Sequence, residues 1–110
     1  MSCMTYQDKL RRFSELLDSL PVAVHHYWRP RLNPPFMVWQ EEGENALSCN
    51  NRPGEHTATG TLDYFTPTEF DPVADEIPRT LRAGGASCAL ISVQYEESTH
   101  LIHYEWSWEV

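Results

Sequence analysis

The sequence predicts an α+β fold: a mostly antiparallel sheet of about five strands with two helices packed on one face, in the order α-β-β-β-α-β-β. Three observations lead there. Apolar residues recur at helical spacing near the start, large apolar and polar residues alternate strictly at the close, and proline, glycine and asparagine clusters punctuate the short runs between.

The first helix is predicted from Thr5 to Leu20. Tyr6, Leu10, Phe13, Leu17 and Leu20 fall at three- and four-residue steps and so form one apolar stripe. Thr5 is suited to cap it, because its hydroxyl can accept the Asp8 N–H while the Asp8 carboxylate sits in the positive first turn. Pro21 ends it by biasing Leu20 away from helical angles.

Val22 to Trp28 and Phe36 to Gln40 are β-branched and aromatic, with the stiff connection Arg29 to Pro35 between them. A hairpin around the prolines is the expected pairing. From Glu41 to Glu55 the chain is polar and turn-prone, which predicts a long loop. Loops beyond ~12–15 residues are usually functional or ordered by a partner, so this one is a candidate contact surface.

His56 to Thr66 alternates, with Ala58, Gly60, Leu62 and Tyr64 on one side, and reads as a third strand. A second helix is expected from about Pro72 to Ala83, with Asp71 as cap, Val73, Ala74, Ile77 and Leu81 as apolar stripe, and Gly84 and Gly85 as stop. Pro78 lies inside it and predicts a kink. Cys88 to Glu96 and Leu101 to Val110 complete a hairpin, in which Ile102, Tyr104, Trp106, Trp108 and Val110 make one apolar face that should pack on the helices.

The chain has 110 residues, enough for one domain over residues 1–110, and a net charge of −8. That acidity disfavours a phosphate backbone as ligand. No apolar stretch is long enough to span a membrane, and Met1 to Tyr6 lacks the pattern of a signal peptide, so a cytosolic setting without membrane contact is expected. Cys3, Cys49 and Cys88 are too far apart in sequence for a CxxC pair, which fits a reduced compartment.

Catalytic patterns are sought in vain. There is no GxSxG, HExxH, Walker lysine or dinucleotide glycine motif. His25 and His26 point to opposite faces of a strand, and His56, His100 and His103 read as turn and surface residues that would form a metal site only if the fold gathered them. The pairs Glu41/Glu42 and Glu96/Glu97 read as solvated charges, and Cys88 as a small strand hydrophobe without an activating partner. Trp28, Trp39, Trp106 and Trp108 could line a pocket or anchor a protein interface, against core filling as the plainer reading, which Trp106 and Trp108 on their apolar face favour most. No enzyme activity, cofactor or metal is expected.

Several segments carry a likeness to a known family: Leu20-Pro21-Val22-Ala23, Pro35-Phe36-Met37-Val38-Trp39, Glu41-Glu42-Gly43, Thr61-Leu62-Asp63-Tyr64-Phe65-Thr66, Asp71-Pro72, and Tyr104-Glu105-Trp106-Ser107-Trp108-Glu109-Val110. Through them nearly the whole chain resembles small tail-completion proteins of phages and prophages, similar to tail terminators. Asn50, where the family carries an acidic residue, and Pro78 depart from the pattern.

The resemblance implies a non-enzymatic virion protein that ends tail-tube polymerisation as a ring of six subunits. Its implied partners are other copies of itself, the major tail-tube protein and a head-completion or neck protein. Its implied place is the host cytoplasm during assembly and then the virion tail. Candidate interface residues are Arg29 and Arg31 on the proline turn, and Glu41, Glu42, Glu44, Asn45, Asn50, Asn51 and Arg52 in the long loop. Two alternatives stay open: another head-to-tail connector component, and a small ligand-binding or enzymatic domain using histidines and tryptophans.

Overall fold

The structure, a computed structural model, describes residues 4–45 and 56–110. Helix α1 (Tyr6–Asp18) and helix α2 (Val73–Ala83) flank strands β1 (Ala23–His26), β2 (Phe36–Asn45), β3 (Thr57–Thr66), β4 (Ser87–Glu96) and β5 (Leu101–Glu109). The predicted α+β class and element order are as observed, and the five strands form one sheet in the order β1-β2-β3-β5-β4.

The start of α1 is a reciprocal cap. The Thr5 hydroxyl accepts the Asp8 N–H, and the Asp8 carboxylate accepts the Thr5 N–H, both at 3.1 Å. Its stripe buries Leu10, Phe13 and Leu17 against Met37, Trp39, Leu62, Trp106 and Trp108 on one face of the sheet. Phe13 is wholly buried, stacked on Trp108 and edge-on to Trp39. Helix α2 adds Ile77 and Leu81 to the same core, so both helices lie on one face. Gly84 at its end allows close approach to α1, since a Cβ there would run into the Leu16 side chain.

At the N-terminus of α2 the Pro72 backbone is already helical, and Asp71 does the capping: its carboxylate accepts the Val73 N–H at 2.9 Å. The same carboxylate accepts the Tyr64 and Thr66 hydroxyls at 2.6 and 2.7 Å, which ties β3 to the helix. The helix continues through Pro78, whose missing N–H leaves the Ala74 carbonyl without its helical donor.

Two expectations are corrected. The strands either side of the prolines do not form a hairpin: β1 and β2 run parallel, with Ala23 opposite Phe36 and His26 opposite Trp39. The connection doubles back across the sheet because Tyr27 and Asn33 take left-handed backbone angles, φ 78° and 68°, and because its middle is anchored at a distance, as described below. The loop expected from Glu41 to Glu55 is corrected over its first residues, since Glu41, Glu42, Glu44 and Asn45 all belong to β2; its remainder, 46–55, lies outside the described residues. The long alternating β3 needs an antiparallel neighbour of matching length, and β2 supplies it through a bulge at Glu42. A second bulge sits in β4 at Ile91.

The β4–β5 hairpin is as expected, and Trp106 and Trp108 are buried beneath the helices. At Gly60 the opposing Trp108 ring and the Gln40 carbonyl occupy the space a Cβ would need. Among the described residues no helix is long and apolar enough to cross a membrane.

Candidate functional site

The face of the sheet turned away from the helices carries a second, smaller apolar cluster of Phe36, Val38, Phe65 and Leu101. Residues 27–35 arch over it. The Arg29 guanidinium lies 4.0 Å from the Phe65 ring centre and donates to both oxygens of Glu96, at 2.9 and 2.5 Å. A fork of this kind satisfies a carboxylate at both oxygens and pins the arch to β4 across β3 and β5.

The polar network continues. Thr99 donates to Glu96 at 2.8 Å, His103 stacks on Phe65, and the two ring nitrogens of His103 face Asp63 (2.6 Å) and Glu96 (3.9 Å). The Arg29 hydrogen bonds hold the Glu96 carboxyl below the usual carboxylate range, against the opposing effect of burial. Beside the network, a cleft of about 470 Å³ is lined by Arg31, Leu32, Pro34, Phe36 and Leu101 among others.

On the helix side of β1, His26 is sandwiched between the Tyr27 and Trp39 rings. Its Nε2 lies 2.7 Å from one Glu41 oxygen, and the Tyr27 hydroxyl donates to the other. Burial acts to raise the Glu41 carboxyl, but the hydrogen bonds from Tyr27 and His26 prevail and its pKa is lowered.

The predicted interface residues are dispersed. Arg29 is engaged by Glu96 and Phe65 within the chain, whereas Arg31 is exposed on the arch. Glu41 is held by His26 and Tyr27, Glu42 is the exposed bulge residue, and Glu44 lies 3.7 Å from His56. The Asn45 side chain donates to Glu109 at 3.2 Å. Asn50, Asn51 and Arg52 lie outside the described residues, as do Cys3 and Cys49.

The five histidines do not converge. His25 contacts Trp28 and Phe36, His26 pairs with Glu41, His56 with Glu44, His100 with the Tyr95 hydroxyl, and His103 with Asp63. Among the described residues no group of three His, Cys, Asp or Glu side chains is placed to hold a metal ion. The Cys88 thiol is half-buried, and that burial pushes its pKa up, away from the thiolate a nucleophile requires.

Sequence reasoning passed over the exposed apolar residues other than Trp28, which is 60% exposed rather than core. Leu90, Ile91, Val93 and Tyr95 stand out from β4, Trp28 and Leu32 from the arch, and Phe70 from the turn before α2. Leu90-Ile91-Ser92-Val93 is the run of a central strand, yet β4 is a sheet edge. The one available signal was Phe70, an aromatic set among Pro67, Thr68, Glu69 and Asp71 in a polar turn.

No family model matches the chain, and no curated protein compared with it gives a match.

Proposed function

We propose that this chain is a structural assembly protein of a long-tailed phage or prophage, which closes as a ring on the end of the tail tube and presents the surface to which the head joins. A capping ring needs at least three contact surfaces: one for the neighbouring subunit, one for the tube and one for the neck. What supports the reading is that exposed apolar side chains occur in three separate places, on the β4 edge, the proline arch and the turn carrying Phe70. Single exposed apolar residues are ordinary, but several groups of them held on ordered elements are the usual mark of protein contacts. The charge of −8 turns the free protein away from packaged nucleic acid and keeps it dispersed before assembly.

The reading is tested by deleting the gene from an inducible prophage that carries it. Capsids and tails left unjoined, with tails of irregular length, are expected; infectious particles of normal form would overturn it. Labelling the protein in the virion, at the tail end or at the portal, separates a terminator from another connector component.

A further inference from the structure

Phe70 is 94% exposed, more than any other large apolar residue described, and its backbone is held in the left-handed region at φ 55°. A bulky side chain is uncommon there, and persists only where the surroundings impose it. They do so here: Asp71, next in the chain, is fixed by Tyr64, Thr66 and the Val73 N–H, and the Thr68 N–H donates to Thr66. The turn thus presents an aromatic ring on a rigid mount, with the exposed carboxylate of Glu69 beside it.

At the opposite end of the sheet lies a cavity of about 220 Å³, lined by Met4, Leu16, Gly84 and Val110 together with Lys9 and Arg12. Thr66, near the Phe70 turn, and Ala58, hydrogen-bonded to Val110, lie roughly 26 Å apart along β3 at ~3.3 Å per residue. The cavity is smaller than the ~300–1,000 Å³ of small-molecule pockets and suits a single ring. Among the described residues Lys9 and Arg12 donate to the carbonyls of His56 and Gly84 rather than to carboxylates, so two cations in an acidic chain stand at its lining.

We propose that Phe70 of one copy seats in this cavity of a second copy, with Glu69 meeting Lys9 and Arg12. Knob and hole lie at opposite ends of the sheet, so Phe70 cannot reach the cavity of its own molecule; repeated from copy to copy, the contact is of the head-to-tail type that closes into rings. The inference takes its setting from the ring reading above, but its test does not depend on that reading.

Sedimentation of the whole chain over a range of concentrations provides the test. The native protein should self-associate, and Phe70→Gly should weaken association about 30-fold, as expected for loss of a buried aromatic anchor. Its thermal midpoint, compared at a dilution where both proteins are monomeric, should not fall, because glycine accepts the left-handed angle freely. Phe70→Asn, which also tolerates that angle, should behave alike. Glu69→Lys should weaken association, and adding Arg12→Glu should restore it. A native protein that stays monomeric throughout, Phe70 variants that associate normally, or failure of the charge exchange would each overturn the contact. Infectious deletion particles alongside intact, Phe70-dependent association would remove the tail role and uphold the contact; unjoined tails with a monomeric protein would do the reverse.

Discussion

Phe13 and Trp108 stack with ring centres 4.0 Å apart and planes inclined by 20°, which joins the first helix to the last strand at the middle of the core. The pair links the two ends of the described chain. Phe13→Ala should therefore lower stability by about 3–5 kcal/mol, the usual cost of emptying an aromatic site, measured by urea unfolding. Phe13→Leu should cost less than half as much.

Gly60 is opposed by that same tryptophan. Gly60→Ala would drive a methyl group into the Trp108 ring and the Gln40 carbonyl between three packed strands, where little can give way. A loss of about 1–3 kcal/mol is expected, with the near-ultraviolet tryptophan signal changed, because overpacking displaces the ring.

Asp71 should make the fold acid-sensitive. Burial acts to raise its carboxyl pKa, but donors from Tyr64, Thr66 and Val73 outweigh this and the pKa is lowered. A depressed carboxyl contributes stability that is present above its unfolded pKa of ~3.9 and is lost as pH falls through the folded value. Unfolding free energy measured between neutral pH and strong acid should accordingly drop below about pH 4, and the drop should be shallower in Asp71→Asn.

Arg29 anchors the arch through an exposed guanidinium, so water screens much of its charge. Arg29→Ala should cost only about 1 kcal/mol globally. Its larger effect should be local: amide exchange in residues 31–33 should accelerate while that of β3 stays slow. Arg29→Lys should give an intermediate result, because an ammonium cannot fork across both Glu96 oxygens.

The elements legible in the sequence were those whose pattern is local. The stripe through Leu10, Phe13 and Leu17 and the alternation ending at Trp108 each report a single buried face, and both lie where expected. Direction of pairing is not local: whether β1 and β2 run parallel depends on where the arch is tied, and its ties to Phe65 and Glu96 are remote in sequence. Glu41-Glu42-Gly43-Glu44 has the composition of a turn but becomes strand because β3 offers it a full ladder. The candidate interface residues are charged or amide side chains, several of which are engaged within the chain, whereas the exposed aliphatics of β4 have the composition of a buried strand and so carry no local mark of their exposure.

The bulge at Ile91 bears on how this protein survives its own concentration. The outer margin of β4 is long, apolar and open to pairing by a stray strand from another molecule. An extra residue at its centre throws the N–H and C=O groups on either side out of step, so an incoming strand can match one half but not both. The opposite margin, β1, extends only from Ala23 to His26, too short to template much. Copies crowded together in solution can then meet through side chains without zipping into fibres.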